Sequence, residues 1–236
     1  MSKDLIRKMF LPDRNGSHSL STAMAARSGS GKSSLLTHLV LEARKDEAFK
    51  ETRFVYISIK QEHLFGEKVP IVNNIPDMLK QMSKNPIVTY YPTEPEFYEV
   101  DIDEIIETCF QVVDDVEGGI VLIIDDANVI RGFDSRGIVS PAVKKLTIAG
   151  RSKGIRGLFI CHRISNLPRL MNGNLSGMVL MSISTMDLDY SKKIFGQDFE
   201  SLIPELVDYR WAYVDLIDEK TFKFNPVPLP KTKKNE

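Results

Sequence analysis

The 236-residue chain is predicted to fold as an α/β protein with a mostly parallel central sheet flanked by helices, and three observations predict it. Short, continuously apolar runs alternate with segments of helical period, as strands and crossover helices do. A glycine-rich loop follows the first apolar run and leads straight into a helix. A later apolar run ends in two adjacent acids.

The strands are expected in order at residues 19–26, at Arg53–Ile59, at Ile87–Tyr91, at Ile120–Ile124, at Gly157–Cys161 and at Gly177–Ile183. Runs this apolar are covered by helices on both faces. Leu35, Leu36, Leu39, Val40 and Ala43 keep one face of the first helix. Ile102, Ile105, Ile106, Cys109, Phe110, Val113 and Val116 keep one face of another, with Asp101 and Glu104 spaced as an N-cap and its third-position carboxylate. A further helix is expected near 138–150, and shorter ones near 76–84, 187–195 and 199–207. Arg210–Ile217, then a turn at Asp218–Lys220, then Thr221–Phe224 reads as a C-terminal β-hairpin.

Composition narrows the class. With 31 Lys+Arg against 32 Asp+Glu, the net charge of −1 excludes a histone-like basic protein. At 42% hydrophobic and 27% charged, collagen, coiled coil and wholesale disorder are excluded as well. At about 150 residues per domain the length allows one or two, and no linker interrupts the pattern. The expected organisation is an N-terminal extension over 1–18, one domain over 19–225, and a Pro/Lys-rich arm over 226–236. No apolar run approaches the ~18 residues of a membrane span, and the opening Met1–Arg7 is too charged for a secretory signal. Cys109 and Cys161 sit in apolar runs and read as small buried hydrophobes, so an intracellular, reducing compartment is expected.

The loop reads Ala26-Arg27-Ser28-Gly29-Ser30-Gly31-Lys32-Ser33, followed by Ser34. It matches G-x-x-x-x-G-K-[ST] with Ala26 in place of the first glycine. Small residues let successive backbone N–H groups turn inward on phosphates, and the helix N-terminus favours the anion. In that reading Lys32 bridges the β- and γ-phosphates of ATP and the Ser33 hydroxyl holds Mg2+. Ala26 requires that the loop's first turn avoid positive φ. Asp125 and Asp126 end the strand Ile120–Ile124, where one carboxylate is needed to orient the Mg2+ shell and a second to polarise the attacking water. Asp125 is assigned to the metal and Asp126 to the water, although Asp is one methylene shorter than the Glu most such enzymes carry.

The segment Gly150-Arg151-Ser152-Lys153-Gly154-Ile155-Arg156-Gly157-Leu158-Phe159-Ile160-Cys161-His162-Arg163 resembles the stretch of the FtsK–HerA superfamily in which an Arg precedes a strand ending in a polar sensor. The order of loop, two-acid strand, Arg, sensor strand, further strand and hairpin resembles that superfamily over residues 19–225. Within it, a short chain with little appended domain looks like the genome-packaging ATPases of tailless, membrane-containing icosahedral viruses. The resemblance implies a RecA-like P-loop ATPase domain with the C-terminal hairpin, ATP and Mg2+ as cofactors, and a homo-oligomeric ring, a hexamer by family analogy. By position, His162 stands where the family has its γ-phosphate sensor, and it reads equally as a histidine bonded to nearby backbone. Arg151 matches the residue that reaches a neighbour's nucleotide, with Arg163 as the rival and a surface Arg at a helix C-terminus as the plainer alternative.

Residues 93–118 hold ten acids and no Lys or Arg, while residues 131–169 hold nine bases and one acid, Asp134. The basic segment either lines a ring channel and touches double-stranded DNA through its phosphates or is one of two ordinary solvated faces. The acidic helix then faces outward or meets a neighbour's basic face. The resemblance implies an ATP-driven motor moving viral DNA into a capsid, in host cytoplasm and virion, with a capsid or viral membrane protein as docking partner. The alternatives are a related DNA-transfer or phage-assembly ATPase, or a nucleotide-binding scaffold of slow turnover.

Overall fold

A computed structural model describes residues 1–14, 20–94, 98–129, 139–183, 187, 190 and 202–228. Arg131, Asp134 and Arg136, most of the segments near 187–195 and 199–201, and the arm from 229 onward lie outside the described residues. Nine strands are described: β1 (Ser21–Ala25), β2 (Arg53–Ile57), β3 (Ile71–Val72), β4 (Ile87–Tyr90), β5 (Ile120–Ile124), β6 (Ile155–Cys161), β7 (Leu175–Leu180), β8 (Trp211–Asp215) and β9 (Lys220–Phe224). The helices are α1 (Lys3–Phe10), α2 (Lys32–Arg44), α3 (Ile75–Met82), α4 (Tyr98–Val112), α5 (Pro141–Lys153) and the single turn α6 (Arg169–Asn172).

The strands form one sheet in the order β3-β4-β2-β5-β6-β1-β7-β8-β9. From β3 to β7 all pairings are parallel. The last two, β7 with β8 and β8 with β9, are antiparallel and form the hairpin expected at the C-terminus. The glycine-loop strand β1 and the acid strand β5 are not neighbours, because β6 lies between them. Their C-terminal ends share one edge of the sheet, and this order positions the site.

Alternation along each strand feeds two cores. Ala23 and Ala25 of β1, Val55 and Ile57 of β2, and Ile120, Leu122 and Ile124 of β5 face one core, closed by α3, α4 and α5. Met24, Phe54, Tyr56, Val121 and Ile123 face the other, closed by α1 and α2. Each fully buried Leu, Ile or Phe contributes roughly 1.5–3 kcal/mol, so both faces hold the sheet. Helix α5 is bounded by side-chain chemistry. Ser140 accepts from the Val143 N–H, Pro141 opens the first turn, and Gly154 closes the helix at φ +80°.

Four features differ from the sequence reading. Residues 3–10 form α1, which packs Leu5, Ile6, Met9 and Phe10 into the core. Residues 71–72 add the short edge strand β3. Asp101 does not cap α4: the helix begins at Tyr98, and Asp101 instead accepts from the Thr93 N–H at 3.2 Å. The strand expected over 177–183 runs over 175–180, because Ser182 turns its carbonyl to the Arg27 N–H of the glycine loop. Both cysteines are buried and free, and burial pushes each thiol up to about 12.

Candidate functional site

The loop between β1 and α2 is built for an anion. Gly29 and Gly31 take φ of +75° and +87°, which only glycine adopts cheaply. Ala26 is absent from the positive-φ residues, so alanine fits where the motif has glycine. Gly31 caps α2 without any side-chain hydrogen bond, leaving the first-turn N–H groups for a ligand. Lys32 Nζ donates to the carbonyls of Ala26 at 2.8 Å and Arg27 at 3.2 Å, so the ammonium is folded back onto its own loop. Burial lowers its pKa from the ordinary lysine value, against the pull of Asp126.

The acids stand at the end of β5. Asp125 Oδ2 accepts from the Tyr56 hydroxyl at 2.9 Å and Oδ1 from the Asp126 N–H at 2.9 Å. Burial raises the Asp125 pKa, and it raises the Tyr56 hydroxyl too, so Tyr56 remains a donor at every working pH. Asp126 sits at φ 49°, a left-handed conformation that Asp tolerates and that costs of order 1 kcal/mol. Its Oδ2 lies 2.6 Å from Lys60 Nζ and its Oδ1 2.7 Å from His162 Nε2. The histidine contact is close but undirected, and Oδ1 has no directed hydrogen bond among the described residues.

His162 follows β6 directly, and because β6 lies between β1 and β5 it bridges the two parts. Partial burial and then Lys32 lower its pKa from 6.5, so the imidazole is neutral at pH 7. Lys32 Nζ lies 3.2 Å from its Nδ1. A lysine can only donate, so the imidazole proton is assigned to Nε2, the nitrogen facing Asp126.

Two residues the sequence reading passed over come from the turn after β2: Lys60 at Asp126, and Glu62, whose Oε2 accepts from Ser33 Oγ at 3.0 Å. Only the β2–β5 pairing brings them here, and no motif marks them. A cavity of about 550 Å³ opens over the loop. Its polar walls are Ser28, Gly29, Lys32, Ser33, Ser34, Lys60, Glu62, Asp125 and His162; Met181, Tyr209, Trp211, Pro226 and Val227 form an apolar end. Asp126 is not among its walls. Tyr209 lies against the loop: a Cβ placed on Gly31 would stand 3.1 Å from its ring.

Among the described residues no cluster of three or more His, Cys, Asp or Glu is arranged to hold a metal. Ser33, Asp125 and Glu62 are nevertheless the hard oxygen donors that suit Mg2+, which commonly completes its shell with phosphate and water.

Arg151 is exposed at the C-terminal end of α5, beside the start of β6 and thus at the sheet edge opposite the cavity. Arg163 follows His162, with Nε 3.3 Å from Asp187 Oδ1. Part of the basic segment is committed within the chain. Arg156 is 1% exposed and donates to Thr22, Ser176 and the carbonyls of Leu11 and Lys8, so it is unavailable to DNA. Lys145 pairs with Glu107 at 2.5 Å and Lys153 with Asp114 at 3.7 Å, so the acidic helix meets its own chain's basic helix. Lys144, Arg151 and Arg169 remain exposed.

Fold and loop define the class: a RecA-like P-loop NTPase fold with a C-terminal hairpin. No protein-family model and no curated protein sequence matches the chain. Among solved structures it is similar to the genome packaging NTPase B204 from Sulfolobus turreted icosahedral virus 2 in complex with AMPPCP, with TM-score 0.72 and 17% identity, covering 92% of this chain and 99% of that one. The B204 DNA-packaging ATPase of Sulfolobus turreted icosahedral virus gives 0.72 at 18% identity, covering 89% and 98%. The pCW3 conjugation coupling protein TcpA, with ATPγS, gives 0.56 at 14% identity, covering 91% of this chain and 61% of that one. At these identities the likeness is one of fold, and it bears out the FtsK–HerA-like resemblance at that level. No helix among the described residues is long and apolar enough to cross a membrane.

Proposed function

We propose that this chain hydrolyses ATP and uses it to move double-stranded DNA into a viral capsid, working as a homo-oligomeric ring. The observation that carries the reading is the meeting of the glycine loop, Lys32, Asp125 and His162 around one cavity, on a fold whose solved neighbours include two viral packaging enzymes. The loop N–H groups and the N-terminus of α2 take the phosphates, and Lys32 leaves the Ala26 and Arg27 carbonyls for the β- and γ-phosphate oxygens. The apolar end at Tyr209, Pro226 and Val227 takes the base, whose flat π-face packs on an aromatic ring. Ser33 would hold Mg2+, with Asp125 orienting its shell, and the ion would neutralise phosphate charge when bound with the nucleotide. Asp126 orients the attacking water once a nucleotide draws Lys60 and His162 toward the phosphates, and neutral His162 donates from its ring to the γ-phosphate. Arg151, far from its own cavity, acts on a neighbour's nucleotide, which makes turnover depend on the ring.

One observation favours a second reading. Asp126 is not a wall of the cavity, and its two oxygens lie against Lys60 and His162, an arrangement that suits a slow nucleotide-binding scaffold.

The test is displacement of a third strand from a DNA triplex, which requires movement along duplex. Wild type with ATP is expected to displace it, and neither Lys32→Ala nor wild type with AMPPNP should. Binding of ATP without displacement, in the presence of excess duplex, supports the scaffold instead.

A further inference from the structure

The turn that follows β2 carries two side chains of opposite sign into the site. Lys60 goes to Asp126 and Glu62 to Ser33. We propose that Glu62 is a direct ligand of the nucleotide-bound Mg2+, paired with the Ser33 hydroxyl, while Asp125 and Asp126 act from behind other partners. The inference rests on the nucleotide-site reading above and adds a residue to it.

The first support is spacing. Two adjacent oxygens on an octahedral Mg2+ with bonds of about 2.0–2.1 Å lie roughly 2.9 Å apart. Ser33 Oγ and Glu62 Oε2 are 3.0 Å apart, already at that separation. An ion entering here replaces one hydrogen bond by two metal–oxygen contacts without moving either oxygen far.

The second is that Glu62 is held in place. Its N–H donates to the buried Ser58 Oγ at 2.9 Å, and the Gln61 N–H donates to the Ser58 carbonyl at 3.2 Å with Gln61 at φ 55°. Beyond it, the Leu64 carbonyl accepts from Thr37 Oγ1 at 3.3 Å, and Phe65 stands edge-on to Tyr56 at 5.3 Å. The turn is therefore fixed to α2 on one side and to the core on the other, as a ligand that must not wander requires.

The third is the state of the other acids. Both Asp125 oxygens already accept hydrogen bonds, from Tyr56 and from the Asp126 N–H. Asp126 holds Lys60 and is not a wall of the cavity. Glu62 lines the cavity, and its described side-chain partner is the hydroxyl that a Mg2+ ion needs.

The test measures Mn2+ binding to the protein–ADP complex by the EPR signal of the free ion, for wild type and Glu62→Gln, with mant-ADP binding in EDTA as the control for an intact site. Glu62→Gln is expected to weaken Mn2+ by about tenfold or more, while ADP binding in EDTA is unchanged or tighter because a negative charge near the phosphates is gone. Unchanged Mn2+ affinity overturns the proposal, even if turnover falls, since the carboxylate would then act on water and not on metal. If Glu62→Gln does not fold, Glu62→Asp withdraws the oxygen by one methylene and must also weaken Mn2+; equal affinity overturns the proposal. Failure of wild type to bind ADP at all removes the nucleotide reading itself, a result distinct from a failure confined to Glu62.

Discussion

Asp125 shows how a single buried carboxylate is kept usable. Taken out of water, it is driven toward its protonated form, and the Tyr56 hydroxyl and the Asp126 N–H pull the other way by hydrogen-bonding the ionised form. Tyr56 is itself fully buried, so Tyr56→Phe removes a donor that water cannot replace. The expected cost is about 1–3 kcal/mol in urea unfolding, with the slope against urea unchanged; a loss below about 0.3 kcal/mol contradicts this account of the pair. Lys32, Ser33 and the glycines were legible because a phosphate loop is local and its spacing is demanded by backbone geometry. Asp125 and Asp126 were legible because acids at the end of an apolar strand are conspicuous. Tyr56, Lys60 and Glu62 were not, since they are ordinary residues that acquire a role only when β2 is laid beside β5.

Helix α1 is the element whose importance the sequence pattern conceals. Eight residues with apolar positions at Leu5, Ile6, Met9 and Phe10 make too short a period to separate from an unstructured end. In the fold, α1 is secured by charge from inside the sheet. Arg156 on β6 donates to carbonyls at the end of α1, while Lys8 pairs with Asp215 at 2.7 Å and Asp218 at 2.5 Å beside the hairpin. Full burial brings the Arg156 guanidinium down to about 10, still well above neutrality, so it remains charged although no carboxylate among the described residues pairs with it. Arg156→Met should therefore strand several buried acceptors and lower stability by roughly 2–5 kcal/mol, read as a drop in thermal midpoint. A variant as stable as wild type contradicts the clamp. The same element scale bears on the charge pattern: the ten acids and the nine bases read either as partner surfaces or as ordinary solvated faces, and α4 and α5 pack together with part of both paired across them.

At the scale of the whole molecule, strand order does the work that no single motif does. Placing β6 between β1 and β5 sets His162 between the phosphate loop and the acids, and the parallel run from β3 to β7 collects every one of these ends on a single edge. The sheet class and hairpin could be read from apolar runs and turns, whereas the order of strands could not, because long crossovers leave no local trace in the sequence. Arg151 lies at the opposite edge, in the last turn of α5 where a cation also suits the helix C-terminus, and its proposed role on a neighbour's nucleotide requires that one chain's far edge meet another's cavity. The most direct measurement is steady-state ATP hydrolysis with and without double-stranded DNA across a salt series, with Lys32→Ala as the blank. A motor that tracks duplex predicts turnover stimulated by DNA, with the stimulation fading as salt rises because the contacts are to phosphates. ATP turnover indifferent to DNA at every salt concentration would contradict it.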